Sequence, residues 1–293
     1  MRIGTRGSAL ALAQARWVAD RLGGGAETEI VTITTTGDRG QSVGDKSRWV
    51  SELERALLEE RIDVAVHSAK DVPSELEEGL ELVAIPPRAD ARDAICGARS
   101  LAHLSSGSRV GTSSLRRAAQ IRAARDDLQV QSVRGNVDTR LRKLAEGQFD
   151  AIVLALAGLQ RLGRADEAAG VLDELVPAGG QGALALEARP GALSPDLLAR
   201  VADPEATACV TAERELIREL DASCNTPVGA HARMLDDGLI ELVGWVGLPD
   251  GSAWVRDRRV GEAAGLGRTV ADRLRSVGAG DLLRRAEREA TVT

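Results

Sequence analysis

The sequence is poor in cysteines and aromatic residues, and each scarcity excludes a class of protein. Its three cysteines, Cys96, Cys209 and Cys224, are odd in number and widely spaced. This pattern fits neither a disulfide framework nor a CxxC metal site, so we expect no metal centre. Aromatic residues make up 2% of the chain and the formal net charge is −6. Both values disfavour a nucleic-acid partner unless basic residues cluster strongly.

Signals for export, membrane insertion and nucleotide binding are also missing. The N-terminus, MRIGTRGSAL, has no basic leader followed by an apolar run and a small-residue cleavage site. Nowhere do 18 apolar residues run together, so we expect a cytoplasmic protein with no membrane partner. Neither a GxGxxG after a strand nor a Walker lysine loop is found, which leaves nucleotide binding without support.

Lysine is scarce among the basic residues. Only Lys46, Lys70 and Lys143 are lysine among 38 basic positions. A GC-rich genome would explain the bias, and a need for a compact ammonium group at these three positions would explain why lysine persists there.

Apolar and charged residues are present in ordinary globular proportions, 43% and 28%. A chain of 293 residues predicts two or three domains. Periodicity predicts alternating strands and helices in two successive α/β units, each built on a mostly parallel sheet. In the first unit, strands are expected at 1–4, 30–36 and 64–66, with helices at 8–22 and 50–60. In the second, strands are expected at 109–111, 129–133 and 151–156, with helices at 114–124 and 137–146. A helix at 206–220 and strands at 239–246 and 252–258 predict a separate α+β tail.

Polar clusters follow the ends of several predicted strands, where helix N-termini attract anions. Arg6 and Ser8 follow the first strand, and Arg134 and Arg140 flank a later strand-to-helix turn. Ser8 fits equally well as a helix N-cap, and a lone arginine is most often a solvated surface charge. The repeated placement of arginine at these ends predicts a site for an anionic ligand.

A third cluster combines hydroxyl groups with two adjacent arginines. Thr112 and Ser114 flank the start of a predicted helix whose first turn carries Arg116 and Arg117. Basic residues there oppose the helix dipole, so a purely structural helix would favour acids. A bound anion would remove the conflict.

A buried strand delivers Ser68, Lys70 and Asp71 together. Asp71 fits as a cap of the turn before Pro73, and it also fits as a fixed carboxylate that stabilises a cationic intermediate. His67 follows the apolar strand and is expected to be a core histidine. Among the cysteines, Cys224 lies in a polar turn and is the one placed to react, whereas Cys96 and Cys209 are expected in the core.

Eight short motifs resemble the porphobilinogen deaminase (hydroxymethylbilane synthase) family, in order along nearly the whole chain. They are TRGSALALAQA, HSAKDVP, RDA, VGTSSLRR, RGNVDTRL, the ILALAGLQRLG-like segment from Ile152, GQGALALE and the loop around Cys224. Any one of them is modest evidence, but eight in the right order are very specific.

The resemblance implies a three-domain α/β enzyme. Two domains would be α/β units like periplasmic binding proteins, formed by 1–86 with 183–202 and by 90–176, and a smaller α+β domain, 205–293, would carry the cofactor cysteine. Cys224 would hold a dipyrromethane cofactor through a thioether. Four porphobilinogen molecules would be added to it head to tail with loss of ammonia, in tetrapyrrole biosynthesis. The likeness also implies a monomer.

By the same likeness Asp71 is the catalytic carboxylate, and the other matching positions bind cofactor and substrate. These are Arg6, Ser8, Lys46, Ser68, Lys70, Thr112, Ser114, Arg116, Arg117, Arg134, Arg140, Arg161 and Gln181. Each porphobilinogen carries two carboxylates, so a growing chain needs many arginines. One segment departs from the family pattern, because 44–49 is shorter than usual, although Lys46 is kept in register. We expect this segment to act as a lid.

Three other classes remain as alternatives. A solute-binding module would share the α/β units but would have no use for Cys224 or Asp71. A nucleic-acid binder would use the arginines, and salt-dependent DNA retention would identify it. A thiol hydrolase built on Cys224 would need a histidine, and His231 is the nearest in sequence.

Overall fold

The computed structural model describes residues 1–23, 28–35, 50–223 and 226–292. Their contacts divide into two compact units, Met1–Ala89 with Gly182–Val210, and Asp90–Gln181 with Thr211–Thr293. Two of the predicted site residues, Lys46 and Cys224, lie outside the described residues. Their roles stay predictions.

The first unit is built on a five-stranded sheet with strand order β2-β1-β3-β10-β4. Its strands are β1 (Arg2–Arg6), β2 (Glu29–Ile33), β3 (Val64–Ser68), β4 (Glu81–Ala84) and β10 (Leu184–Ala188). The helices of this unit are α1 (Ala9–Leu22), α2 (Ser51–Leu58) and α6 (Pro195–Val201). β1 pairs in parallel with β2 and β3, whereas β10 runs antiparallel to β3 and β4. Four of these five strands point in one direction, as predicted for a mostly parallel sheet, and β10 is reversed.

Helices cover both faces of this sheet, which is why β3 is buried from Val64 to His67. On one face, Val18 of α1 packs in a core with Val64 and Leu186. On the other face, Leu53 of α2 packs with Ala65. Because β1 and β3 are parallel neighbours, their carboxyl ends meet at one edge of the sheet.

The second unit contains a comparable five-stranded sheet, in the order β7-β6-β8-β5-β9. The strands are β5 (Asp93–Cys96), β6 (Arg109–Gly111), β7 (Gln129–Gln131), β8 (Ala151–Ala155) and β9 (Gly170–Leu172). The helices that follow three of them are α3 (Leu115–Ala124), α4 (Val137–Ala145) and α5 (Leu156–Arg161). β6 pairs in parallel with β7 and β8, and β5 is antiparallel to β8 and β9.

A smaller antiparallel sheet completes the second unit. Its strands are β11 (Val228–Met234), β12 (Ile240–Gly247) and β13 (Trp254–Gly261), in the order β11-β12-β13. The helices α7 (Pro204–Glu219), α8 (Leu266–Ser276) and α9 (Ala279–Val292) belong to the C-terminal part of the chain. Trp245 of β12 packs against Ala119 of α3 and Val176.

Two α/β sheets with a smaller C-terminal α+β part confirm the predicted fold class. The three domain boundaries stay a prediction, since the contacts place 90–181 and 211–293 in one unit. The sequence pattern missed the strands β4, β5, β9, β10 and β11. Along the described part of the chain, no helix has the length and apolar character needed to span a membrane.

Candidate functional site

A pocket opens in the first unit at the edge where β1 and β3 end. Its polar lining comes from Arg6, Ser8, Gln14, His67, Ser68 and Asp71. Val50, just before α2, closes another side. The structure thus brings together four of the predicted site residues, which are Arg6, Ser8, Ser68 and Asp71.

Ser8 has the local structural role that the sequence allowed. Its hydroxyl oxygen accepts a hydrogen bond from the Ala11 amide at 3.2 Å, which caps the N-terminus of α1. Arg6 is the last residue of β1 and lines the same pocket. Capping does not require an arginine there, so Arg6 gives the pocket a positive charge beside a helix N-terminus.

The turn that carries Asp71 is anchored where it leaves β3. Ser68 ends β3 and accepts a hydrogen bond from the buried Gln14 side chain at 2.9 Å. The amide of Ala69 donates to the Ala183 carbonyl at 3.0 Å. The next residues, Ala69–Asp71, form one turn of 3-10 helix that presents Lys70 and Asp71 half-buried. Among the described residues, none hydrogen-bonds or pairs with the Asp71 carboxylate, so it is available to a ligand.

His67 is buried, as the sequence predicted, and it has a charged partner. Its Nε2 lies 2.9 Å from Oε2 of Glu187, whose side chain is fully buried on β10. Glu54 of α2 is also buried nearby, and burial together with the charge of Glu187 raises its pKa. Three titratable groups therefore lie together behind the pocket.

In the second unit, Arg116 and Arg117 converge on the buried carboxylate of Asp93. Nη1 of Arg116 lies 2.8 Å from Oδ2, and Nη2 of Arg117 lies 2.8 Å from Oδ1. Burial would raise the pKa of Asp93, but the two guanidinium groups outweigh it and hold the pKa well below its usual range. The Asp93 carboxylate is thus an anion within the protein that offsets the charge of these two arginines at the start of α3.

Gln181 closes this buried network. Its Nε2 donates to Oδ1 of Asp93 at 2.7 Å and to the Ala91 carbonyl at 2.6 Å. Its Oε1 accepts from Arg117 at 3.4 Å. Gln181, Arg116 and Arg117 are each no more than 6% exposed, so their first role is to build this part of the molecule. Their contact with a ligand stays a prediction.

The predicted hydroxyl residues of this unit lie at the N-terminus of α3. Ser114 caps the helix by accepting from the Arg117 amide at 3.4 Å. The amide of Ser114 in turn donates to the Thr112 hydroxyl at 3.2 Å, and Thr112 is buried. Both hydroxyl groups therefore shape the loop between β6 and α3.

The other predicted arginines of this unit differ in how far they are buried. Nε of Arg140 donates to the Gly135 carbonyl at 2.8 Å, and burial together with the charge of Arg117 lowers its pKa. Burial lowers the pKa of Arg161 to about 10. Arg134 is exposed. Arg116 and Arg117 thus share one buried carboxylate, Asp93, and the charge of Arg117 acts on Arg140 as well. Positive charge concentrated in this way favours an anionic ligand.

The sequence did not single out Gln14, Asp93 or Glu187 as site residues. Asp93 lies within the RDA motif and Gln14 within the first motif, so the signal was present but could not assign a contact. Cys96 and Cys209 are buried, as predicted. Within 1–23, 28–35, 50–223 and 226–292, no group of three or more histidine, cysteine or acidic residues could hold a metal ion.

Two family models match this chain. The model described as porphobilinogen deaminase, dipyromethane cofactor binding domain, matches residues 1–194. The model described as porphobilinogen deaminase, C-terminal domain, matches residues 207–276.

Curated relatives are similar over most of their length. The porphobilinogen deaminase of Deinococcus deserti is 50% identical over 282 residues, covering 89% of this chain and 90% of that protein. The proteins of the same name from Deinococcus radiodurans and Thermus thermophilus are 48% and 47% identical. They cover 96% and 92% of this chain, and 97% and 93% of their own lengths.

Solved structures are similar only distantly. A putative methionine-binding lipoprotein from Bacillus subtilis has a TM-score of 0.40 at 12% identity and covers 68% of this chain and 87% of its own. An ancestral arginine-binding protein has a TM-score of 0.33 at 17% identity and covers 75% of this chain and 92% of its own. At such TM-scores nothing about ligand or function follows.

Proposed function

Because the chain belongs to the porphobilinogen deaminase family, we propose that it is a hydroxymethylbilane synthase. It joins four porphobilinogen molecules head to tail on the cofactor and releases one ammonia for each. Water then breaks the bond to the cofactor and releases the linear tetrapyrrole of haem biosynthesis. The observation that carries this proposal is the pocket of the first unit, where a carboxylate that no described residue engages faces a positive edge.

Asp71 is the residue proposed to act in catalysis. As ammonia leaves the aminomethyl carbon, positive charge develops on the pyrrole and its ring nitrogen. A carboxylate held on a rigid turn stabilises that charge without reorganising. The turn is rigid because Ala69 is bonded to Ala183 and Ser68 to Gln14.

Arg6, Ser8, Ser68 and Lys70 are proposed to hold the substrate beside Asp71. The arginine and lysine side chains would bind the acetate and propionate groups, which are negative at neutral pH. The two serines lie on the pocket wall and orient the same groups by hydrogen bonds.

The second unit fits a ligand with many carboxylates. Arg140 and Arg161 are partly desolvated, and a bound anion would offset the cost of burying their charges. We propose that these two residues, with Arg134, Arg116, Arg117, Thr112, Ser114 and Gln181, hold the dipyrromethane cofactor and the lengthening product.

Cys224 is proposed to bind that cofactor through a thioether, and Lys46 to bind substrate. When bound, the cofactor supplies the terminal pyrrole carbon to which the first substrate is joined. The residues of this chain orient the carboxylates and stabilise the developing charge. We further propose that the chain acts in the cytoplasm as a monomer in three domains, with no nucleic-acid partner, in keeping with its net charge of −6.

The experiment is a turnover assay with porphobilinogen on the purified chain. Ammonium release and porphobilinogen consumption are measured together, and the product is identified by mass. The proposal predicts one ammonium for each porphobilinogen consumed and one linear tetrapyrrole for every four. Tight binding of porphobilinogen without ammonium release would contradict it and would identify a solute-binding module. Light scattering on the same sample checks for a single species near 30.9 kDa.

A further inference from the structure

The buried pair of His67 and Glu187 has no role in the function proposed so far. His67 lies on β3, four residues before Asp71, which is on the turn that follows this strand. The His67 side chain is 4% exposed. It nonetheless lines the pocket that contains Asp71. A polar ring at a ligand pocket, with a buried carboxylate behind it, is the arrangement by which proteins orient an imidazole.

Glu187 determines which ring nitrogen is left for the pocket. The Oε2 atom of Glu187 lies 2.9 Å from Nε2, and the other carboxylate oxygen, Oε1, is buried with no hydrogen-bond partner. His67 is thus the one donor that the described residues offer to this carboxylate. A carboxylate accepts and does not donate, so the proton of the ring is held on Nε2.

The second ring nitrogen, Nδ1, is the atom that the pocket can use. No hydrogen bond from a described residue reaches it. His67 lines the pocket, and Nδ1 is the ring nitrogen that Glu187 does not hold. In the neutral ring, an Nδ1 without a proton is a hydrogen-bond acceptor.

Charged groups face His67 from several elements. Glu54 lies on α2 and Glu187 on β10, while Arg6 ends β1 and Asp71 follows β3. Burial and the charge of Glu187 raise the pKa of Glu54.

We propose that His67 is a substrate-contacting residue, oriented by Glu187 so that its Nδ1 accepts a hydrogen bond from an N–H group of the substrate. The inference rests on the proposed function, since porphobilinogen offers two kinds of such group, the pyrrole N–H and the aminomethyl ammonium. Asp71 and His67 would then hold the two nitrogen functions from adjacent walls of one pocket.

Two substitutions at position 67 separate this role from a packing role. In His67→Gln the side-chain amide reaches the position of Nε2 and still donates to Glu187, but no acceptor is left at the position of Nδ1. In His67→Asn an oxygen acceptor remains near the position of Nδ1, and Glu187 loses its donor. His103→Gln is the matched control, because His103 is exposed and bonds only to Ser100 among the described residues.

The variants are compared by thermal melting, by intact mass for the cofactor, and by kcat and KM for ammonium release. We expect His67→Gln to melt near wild type and to retain the cofactor while kcat/KM falls at least tenfold. His67→Asn should melt lower but keep more activity per folded molecule. Glu187→Gln should resemble His67→Gln in activity, because an amide can donate to Nε2 and move the ring proton to Nδ1.

Nitrogen NMR of the imidazole gives a reading that does not depend on turnover. We expect a protonated Nε2 in the resting enzyme and a shift of the Nδ1 resonance when porphobilinogen is added. A folded, cofactor-loaded His67→Gln with wild-type kcat/KM would overturn the inference. Failure of the proposed function would look different, since the wild type itself would then release no ammonium.

Discussion

Asp93 and Arg117 form a buried ion pair, with Nε of the guanidinium donating to Oδ1 of the carboxylate at 2.9 Å. Neither side chain is more than 7% exposed. The pair explains why α3 tolerates two arginines in its first turn, where they oppose the helix dipole. The pair also fixes the position of the Arg117 guanidinium before any ligand binds.

Removing the charge of Asp93 should destabilise the second unit strongly. Asp93→Asn leaves two buried guanidinium groups without a counter-charge, and we expect a loss of about 3 to 5 kcal/mol in the free energy of unfolding. Asp150→Asn is the control, because Asp150 pairs with Arg109 at the surface and should cost less than about 1 kcal/mol. Urea titration of both variants measures the difference. Equal losses in the free energy of unfolding would show that the buried ion pair stabilises the protein no more than the surface pair does.

The same carboxylate should make stability fall in acid. The pKa of Asp93 in the folded state lies below its ordinary value of 3.8, so its contribution to stability is complete above that pH and is lost as the pH falls below it. The pKa values of Asp63, Asp90, Asp150 and Glu241 are lowered as well. We expect urea midpoints that are flat near neutrality and decrease below about pH 4. A midpoint that rises in acid would contradict this assignment.

Glu54 should change the stability with pH in the opposite direction, because its ionisation destabilises the folded state. Burial and the charge of Glu187 raise its pKa above the ordinary value of 4.5, so its ionisation in the folded state opposes folding as the pH rises. Glu54→Gln removes that cost and keeps an acceptor. We therefore expect the variant to be more stable than wild type at pH 8, with the advantage disappearing below about pH 4. Denaturant midpoints at both pH values test this, and a variant that is less stable at pH 8 would refute it.

Asp71→Asn should stop turnover without unfolding the protein. Asp71 is half-buried on a turn held by backbone hydrogen bonds, so the amide fits in its place. Loss of the charge should lower kcat by about 10² or more, because an electrostatic stabiliser of the transition state has been removed. Glu75→Gln, an exposed neighbour, is the control. Melting temperature and ammonium release are measured together, and a wild-type rate would exclude Asp71 from catalysis.

The sequence predicted the α/β architecture well where hydrophobic periodicity was regular. α1 and α3 begin one residue after the predicted helix starts, Ser8 and Ser114, because both hydroxyl groups cap the helices by accepting from backbone amides. β10 was missed because the GQGALALE segment has no polar alternation. It is a central strand covered on both faces, and its partners lie more than a hundred residues away.

The site was predictable as a set of residues and not as a set of contacts. Ser68 and Asp71 follow a buried strand, so their arrival at one pocket could be expected from the parallel sheet. The pairing of Asp93 with α3, and of Glu187 with His67, joins segments distant in sequence through antiparallel strands. No local pattern predicts such contacts, which explains why Arg116 and Arg117 were assigned to a ligand while their buried partner was overlooked.

The most direct test of the central claim is the intact mass of the purified chain, compared with that of Cys224→Ser. Both are produced in a host that supplies porphobilinogen. The account predicts an excess mass equal to two linked pyrrole units on the wild-type chain and none on the variant. An unmodified wild-type chain that is folded, or the same excess on Cys224→Ser, would contradict it.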